Sequence, residues 1–278
     1  MNNPKISTSA QKGMLYVASG LVLIMGIILY FLSNYTEVYF AWTIGVPLTA
    51  AFLGAGYLAS CILEFMAAKE SIWVRGRIAV PAVLLFTSLT FIITLIHLDK
   101  FHLSSDNPTT LIITWAWILV YALVPLIMSL ILIQQTRTQG INPARHASLP
   151  PWFRLTLGSQ VTVMLLMGLG LLFSPKSFAV FWAWNLTPLT GRAIGAWLIG
   201  IGTAGAQSVF ENDWLRLRPA MMSYLLWGFL QGINLLRYPN ASGLDWGHVK
   251  TWVYCVFMLS ILLIGAFGTW QVQRKQDI

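Results

Sequence analysis

Residues 70–77 read ESIWVRGR, and residues 211–218 read ENDWLRLR. Both fit E-x-x-W-x-R-x-R, so Glu70, Trp73, Arg75 and Arg77 stand 141 positions before Glu211, Trp214, Arg216 and Arg218. Carried outward, the same offset lays Pro47–Thr49 (PLT) on Pro188–Thr190 (PLT), Gly54-Ala55 on Gly195-Ala196, and Phe40 on Phe181. Past the next loop the offset becomes 137, where Thr114-Trp115 meets Thr251-Trp252 and Arg137 meets Arg274. A register that holds over such a length is the mark of an internal duplication.

What is duplicated follows from composition. Of 278 residues, 57% are hydrophobic and only 9% are charged, against about a quarter charged in soluble chains. Eight apolar runs stand out: Met14–Leu32, Pro47–Ala68, Ile78–His97, Leu111–Ile133, Leu155–Phe173, Pro188–Phe210, Pro219–Leu236 and Thr251–Trp270. Each has about the 20 residues with which a helix rising ~1.5 Å per residue crosses ~30 Å of hydrocarbon. None alternates apolar with polar residues, which excludes an outer-membrane barrel. No small-residue cleavage site follows the first run, so a retained helix is expected there rather than a signal peptide.

The expected fold is an all-α polytopic membrane protein of eight transmembrane helices, built as two tandem four-helix repeats. Four is even, so both repeats enter from the same side, related by a pseudo-two-fold axis along the membrane normal. The divisions are a head at 1–13, a first repeat at 14–133, a linker at 134–154, a second repeat at 155–271 and a tail at 272–278. The proline-bearing linker holds Pro143, Pro150 and Pro151.

Net charge is +8, but the basic residues are scattered, which argues against a nucleic-acid partner. They set orientation instead. Lys5, Lys12, Lys69, Arg75, Arg77, Arg137, Arg145, Arg154, Arg216, Arg218, Arg274 and Lys275 fall on one side, and the rich side is cytoplasmic. Both termini are then expected inside, in the plasma membrane. On this reading the repeated octapeptide is an orientation anchor, with Arg held at the loop, Trp at headgroup level and Glu within pairing distance. A second reading makes its arginines an anionic headgroup site.

Polar residues at membrane depth are costly and point to function. Arg192, Gln231, Asn234 and Arg237 lie toward the external side, the last three on one helix face. They are the candidate ligand site, expected to line one cavity between the sixth and seventh spans. Glu64 lies near the cytoplasmic end of its span, in reach of the interface or of Arg75 and Arg77. The glycines of the sixth span, Gly191, Gly195, Gly200, Gly202 and Gly205, suit close helix approach, with the second span as expected neighbour. Two segments just before the second and sixth spans, VYFAWTIGVP (38–47) and AVFWAWNLTP (179–188), are too short to cross; they read as interfacial or re-entrant, and an aromatic belt is the favoured account.

No catalytic motif appears, and no catalytic residue, metal or cofactor is assigned. None of the four histidines falls in mid-membrane, against a b-type haem. His97, Asp99 and His102, with Asp245 and His248, lack a specific metal spacing. Cys61 and Cys255 lie at different depths and are expected to be plain thiols. Two functions fit. One is a permease or channel for a small polar or anionic solute, entering near Arg192, Asn234 and Arg237. The other is a non-catalytic scaffold or accessory subunit that binds lipid, pigment or partner helices. Expected partners are the bilayer and other membrane subunits or further copies of the chain.

Overall fold

A computed structural model describes residues 3–276, so the first two residues of the head and the last two of the tail lie outside it. The described residues contain no strand; isolated bridges aside, their regular structure is helical. The long helices are α1 (Ser9–Phe31), α2 (Pro47–Lys69), α3 (Ala79–Ile96), α4 (Pro108–Thr136), α5 (Pro151–Phe173), α6 (Pro188–Glu211), α7 (Trp214–Arg237) and α8 (Val249–Gln276). Seven of these are long and apolar enough to cross a membrane, which makes the chain a multi-pass helical membrane protein.

The eighth expected span is α7. It is long enough at 24 residues, but Arg216, Arg218, Gln231, Asn234 and Arg237 lower its hydropathy, and it is absent from the seven. Its sides are covered by protein, with α2 on one flank and α8 on the other. Burial in protein is the condition under which polar side chains persist at membrane depth.

Local chemistry starts the helices where they start. Proline opens α2, α4, α5 and α6, at a position whose N–H would have no helical partner. Asn107 caps α4, Thr187 and Thr190 form a reciprocal cap on α6, and Asp213 caps α7 by accepting from the Leu215 amide at 3.0 Å. That last cap starts α7 five residues before Pro219. The α6–α7 turn pivots on Asn212, which takes a left-handed conformation with φ of 45°, a role asparagine fills at helix ends.

The most extensive helix pairings are α1 with α2, α5 with α6, α3 with α4 and α7 with α8, together with α2 on α7 and α3 on α6. Two rows result, α1–α2–α7–α8 and α4–α3–α6–α5, and each row takes two helices from each half of the chain. The rows meet more sparsely, at α1 against α4, at α2 against α3 and α6, at α6 against α7, and at α5 against α8. Close approach within a row needs small residues. A Cβ on Gly54 of α2 would lie 2.4 Å from the Tyr30 amide nitrogen of α1, and a Cβ on Gly195 of α6 would lie 2.8 Å from the Gly168 carbonyl oxygen of α5. The glycine face of α6 thus seats mainly on α5 and α3 rather than on α2, which it meets where Trp197 covers Gly56.

The expected aromatic belt is not one. Phe40, Trp42, Trp182 and Trp184 are buried in protein. Trp42 stacks near Phe101 and Trp117, with ring centroids 5.2 Å away from each, and Trp184 donates its indole N–H to Thr49 Oγ1 at 2.8 Å. The two segments plug the bundle end from outside the helices. Their prolines and short lengths forbid a span, and burial of their rings against α2, α4 and Phe101 outweighs an interfacial position.

At the opposite end, the N-terminal segment is tied to two loops. The Lys5 amide donates to the Ile141 carbonyl at 2.8 Å, and the Trp73 amide donates to the Lys5 carbonyl at 3.0 Å. The Trp214 amide makes the corresponding bond to the Ala147 carbonyl at 3.0 Å. The linker is therefore fixed to the α6–α7 turn, with the Leu149 amide also donating to Asn212 Oδ1 at 3.1 Å.

Candidate functional site

The two octapeptides interlock. Arg77 Nε donates to Glu211 Oε1 at 2.6 Å, and Arg216 Nη1 donates to Glu211 Oε2 at 2.9 Å. Arg218 lies 3.7 Å from Glu70, a looser and more exposed pair. Glu211 itself is buried, and the guanidinium of Arg145 caps the last carbonyls of α6 beside it, at Glu211 and Phe210. Trp73 and Trp214 are also buried, Trp214 against Phe153 at 4.8 Å. Glu70 lies just beyond α2. Burial pushes its carboxyl above the ordinary range, and Arg218, Arg75 and Lys12 pull it partly back. This cluster holds protein to protein, and its carboxylates already have cationic partners.

The four candidate ligand residues do not converge. Arg192 donates from Nε to the Leu172 carbonyl at 3.1 Å and from Nη1 to His97 Nε2 at 2.7 Å, which places it on the α5 and α3 side. Arg237 donates to the Tyr30 carbonyl at 2.7 Å and lies over the Tyr30 ring at 5.1 Å, on the α1 side. Gln231 and Asn234 are buried, and Gln231 is held by α2 and α8. Gln231 Nε2 donates to the Phe52 carbonyl at 3.2 Å, and its Oε1 accepts from Asn234 Nδ2 at 3.1 Å and from the Tyr254 hydroxyl at 3.2 Å. The expected shared cavity fails for a geometric reason: α6 and α7 belong to different rows, so their arginines turn to opposite neighbours.

Glu64 also departs from expectation. Arg77 is taken by Glu211, and Glu64 accepts only from Ser60 Oγ, at 2.9 Å, with its Oε2 unpartnered. Among the described residues no three His, Cys, Asp or Glu side chains gather in metal-binding distance. His102 meets Thr43 and the Phe40 carbonyl instead. Cys61 and Cys255 are free thiols.

The open space lies elsewhere, at the two outer ends of the seam between the rows. One cavity of about 520 Å³ sits between α5, α6 and α8 and reaches the plug at Trp182. Its wall is almost wholly apolar, with Met164, Met167, Leu198, Phe257 and Met258 inside. Lys250 stands on its lining, and the buried indole N–H of Trp182 has no acceptor. Val163, Val253 and Val256 on its rim are exposed on the bundle flank, so it opens sideways. A second cavity, of about 240 Å³, lies among α1, α2, α3 and α4, and Leu21, Ile24 and Ile112 at its rim are likewise exposed.

Neither cavity includes Arg192, Gln231, Asn234 or Arg237. Apart from Glu64 in the second cavity, their lining residues escaped sequence reading because Met, Leu and Phe in a span look like ordinary core. One signal was available. Where the first half has Tyr57, Glu64 and Tyr121, the aligned positions of the second half are Leu198, Gly205 and Met258. No family model, no curated protein and no solved structure matches this chain.

Proposed function

We propose that this protein is a non-catalytic integral membrane protein that holds an apolar or amphipathic molecule between its helices, taken in sideways from the bilayer. The observation that carries the reading is the 520 Å³ cavity, apolar inside and open on a flank that faces lipid. Large pockets with few, placed polar groups are the usual form of a ligand site. A lipid chain fills such a space, and an acceptor-bearing headgroup suits the free Trp182 N–H and Lys250. The solute-permease reading is weaker, because Gln231 is occupied by bonds to α2 and α8, Asn234 donates to Gln231, and the two arginines turn apart.

The reading carries a topology with it. We take α7 as an eighth crossing, the chain as a tandem duplication and both termini as cytoplasmic in the plasma membrane. Four observations support the duplication. The helix pairings exchange under it, α1–α2 for α5–α6 and α2–α7 for α6–α3. Gly54 and Gly195 make equivalent approaches. The Trp73 and Trp214 amides make equivalent bonds. Buried Phe40-Ala41-Trp42 answers buried Trp182-Ala183-Trp184, which shifts the register by one residue upstream of the PLT pair.

The test is native mass spectrometry of the protein released from mild detergent, with identification of retained lipids. Wild type is expected to keep at least one lipid-sized molecule. Filling the cavity with Met167→Trp and Val256→Trp is expected to remove it while the thermal midpoint stays within a few degrees. Retention that is indifferent to both substitutions would refute the reading.

A further inference from the structure

The smaller cavity differs from its partner in one decisive way: it contains a carboxyl group. Glu64 is 1% exposed. It lines the space among α1, α2, α3 and α4. Ser60 fills one oxygen, and the other has no partner. No ion-pair partner reaches it within 4.0 Å among the described residues, whose ion pairs join Arg77 and Arg216 to Glu211, Arg218 to Glu70 and Lys100 to Asp99. A buried acidic group without a counter-charge is costly and calls for an explanation.

Around it the lining is aromatic. Phe86, Tyr57, Trp117 and Tyr121 face the same space, with Trp117 and Tyr121 rings 4.3 Å apart and the two tyrosine hydroxyls sharing a hydrogen bond of 2.5 Å. Aromatic faces attract cations, most strongly where water is excluded. The rest of the wall, from Leu21, Val22, Met25, Ile113 and Val124, is apolar. A carboxyl that can ionise beside a cation, aromatic rings and hydrocarbon walls together describe the complement of a positive charge on an apolar body.

We propose that this cavity binds a lipophilic organic cation, an amine or quaternary ammonium, with Glu64 as its counter-charge. The inference rests on sideways entry as proposed above, but it concerns the other cavity and stands or falls separately. The larger cavity supplies an internal control. No carboxyl stands on its lining to attract the cation, and the position 141 residues after Glu64 is Gly205.

The experiment measures equilibrium binding of benzyltrimethylammonium to the whole protein in phosphatidylcholine nanodiscs, beside neopentylbenzene, its neutral isostere. Saturable binding of the cation at one site per chain is expected, with much weaker binding of the isostere. Glu64→Gln should lower cation affinity by at least about tenfold, since it removes one partner of a buried charge pair. Ala116→Trp, placed at the exposed rim, should block the cation without touching Glu64, and this second variant keeps the test decisive if Glu64→Gln folds poorly. Met167→Trp, in the other cavity, should leave cation binding unchanged. Equal affinity for the cation and its isostere, or a Glu64→Gln protein that binds as wild type does, overturns the proposal. Absence of cation binding with lipid still retained in the larger cavity overturns this site alone.

Discussion

The guanidinium of Arg77 lies 2.6 Å from the carboxylate of Glu211, across 134 residues of sequence. Arg218 and Glu70, each displaced by 141 positions from Arg77 and Glu211, repeat the pairing in reverse at 3.7 Å. Each octapeptide thus contributes its last arginine to the other's glutamate. Two loops that a chain connects only through four long helices are held together by crossed charges.

The two pairs should differ in weight. Glu211 is buried and faces two arginines, so Glu211→Gln leaves Arg77 and Arg216 beside each other without a counter-charge, and removing one partner of a buried pair costs about 3–5 kcal/mol. Glu70→Gln breaks a long, partly exposed pair, of a kind that contributes about 0–1 kcal/mol. Thermal unfolding in detergent should therefore show a large drop for the first and little change for the second. Equal drops would show that the pairs are equivalent in energy as well as in position.

Backbone approach gives a sharper contrast. A Cβ at Gly54 would meet the Tyr30 amide at 2.4 Å, whereas a Cβ at Gly20 would meet nothing within 4 Å. Gly54→Ala must push α1 from α2, with an overpacking cost of about 1–3 kcal/mol. Gly20→Ala should be neutral or mildly stabilising, since alanine favours a helix by up to about 1 kcal/mol. Thermal midpoints of the two variants check this, and a neutral Gly54→Ala would contradict the close approach of α1 and α2.

How much of this was legible in the sequence depends on the physics of each feature. The helices were, because a run of about 20 apolar residues has few other fates. Ends were misjudged where caps extend a helix into polar residues, as Asp213 does for α7. The octapeptide marked itself by repetition, but its crossed pairing requires knowing that α2 sits on α7 and α3 on α6, and helix partners leave no periodic trace. Arg192 and Arg237 look alike in sequence and part company only because their helices join different rows. The cavities were the least legible: they are places where apolar residues fail to meet, and that failure belongs to the packing rather than to any residue.

His97 and Arg192 should make the other end of the bundle sensitive to acid. Burial, and then the neighbouring guanidinium, lower the histidine's pKa from its ordinary value. Arg192 donates to His97 Nε2 at 2.7 Å, which requires a neutral ring with a free lone pair. A depressed folded value means the contact contributes fully above the unfolded pKa, near 6.5, and is lost as pH falls through the folded one. A thermal midpoint followed from pH 8 to pH 5 should fall more in wild type than in His97→Gln, whose side chain accepts from Arg192 at every pH. Parallel pH profiles for the two proteins would remove His97 as the cause.

The buried amides of α7 provide the last prediction, and it separates a packing role from a solute path. Gln231 joins three helices, donating to the Phe52 carbonyl on α2 and accepting from Tyr254 on α8 and from Asn234 on its own helix. Interhelical hydrogen bonds in membranes contribute about 0.6 kcal/mol each. Gln231→Leu loses two interhelical bonds and the one from Asn234 and should cost about 1–2 kcal/mol, more if the Tyr254 hydroxyl finds no new acceptor. Asn234 makes one of those bonds, and its Oδ1 is already buried without a partner. Asn234→Leu removes one bond and one orphaned acceptor together, so it should cost less than Gln231→Leu and come out near neutral. Thermal unfolding orders the two variants, and lipid retention should be unchanged in both, since neither residue lines the larger cavity. An Asn234→Leu protein less stable than Gln231→Leu, or one that loses its bound lipid, would mean that the unpartnered Oδ1 of Asn234 meets a ligand or water and that α7 carries part of a site.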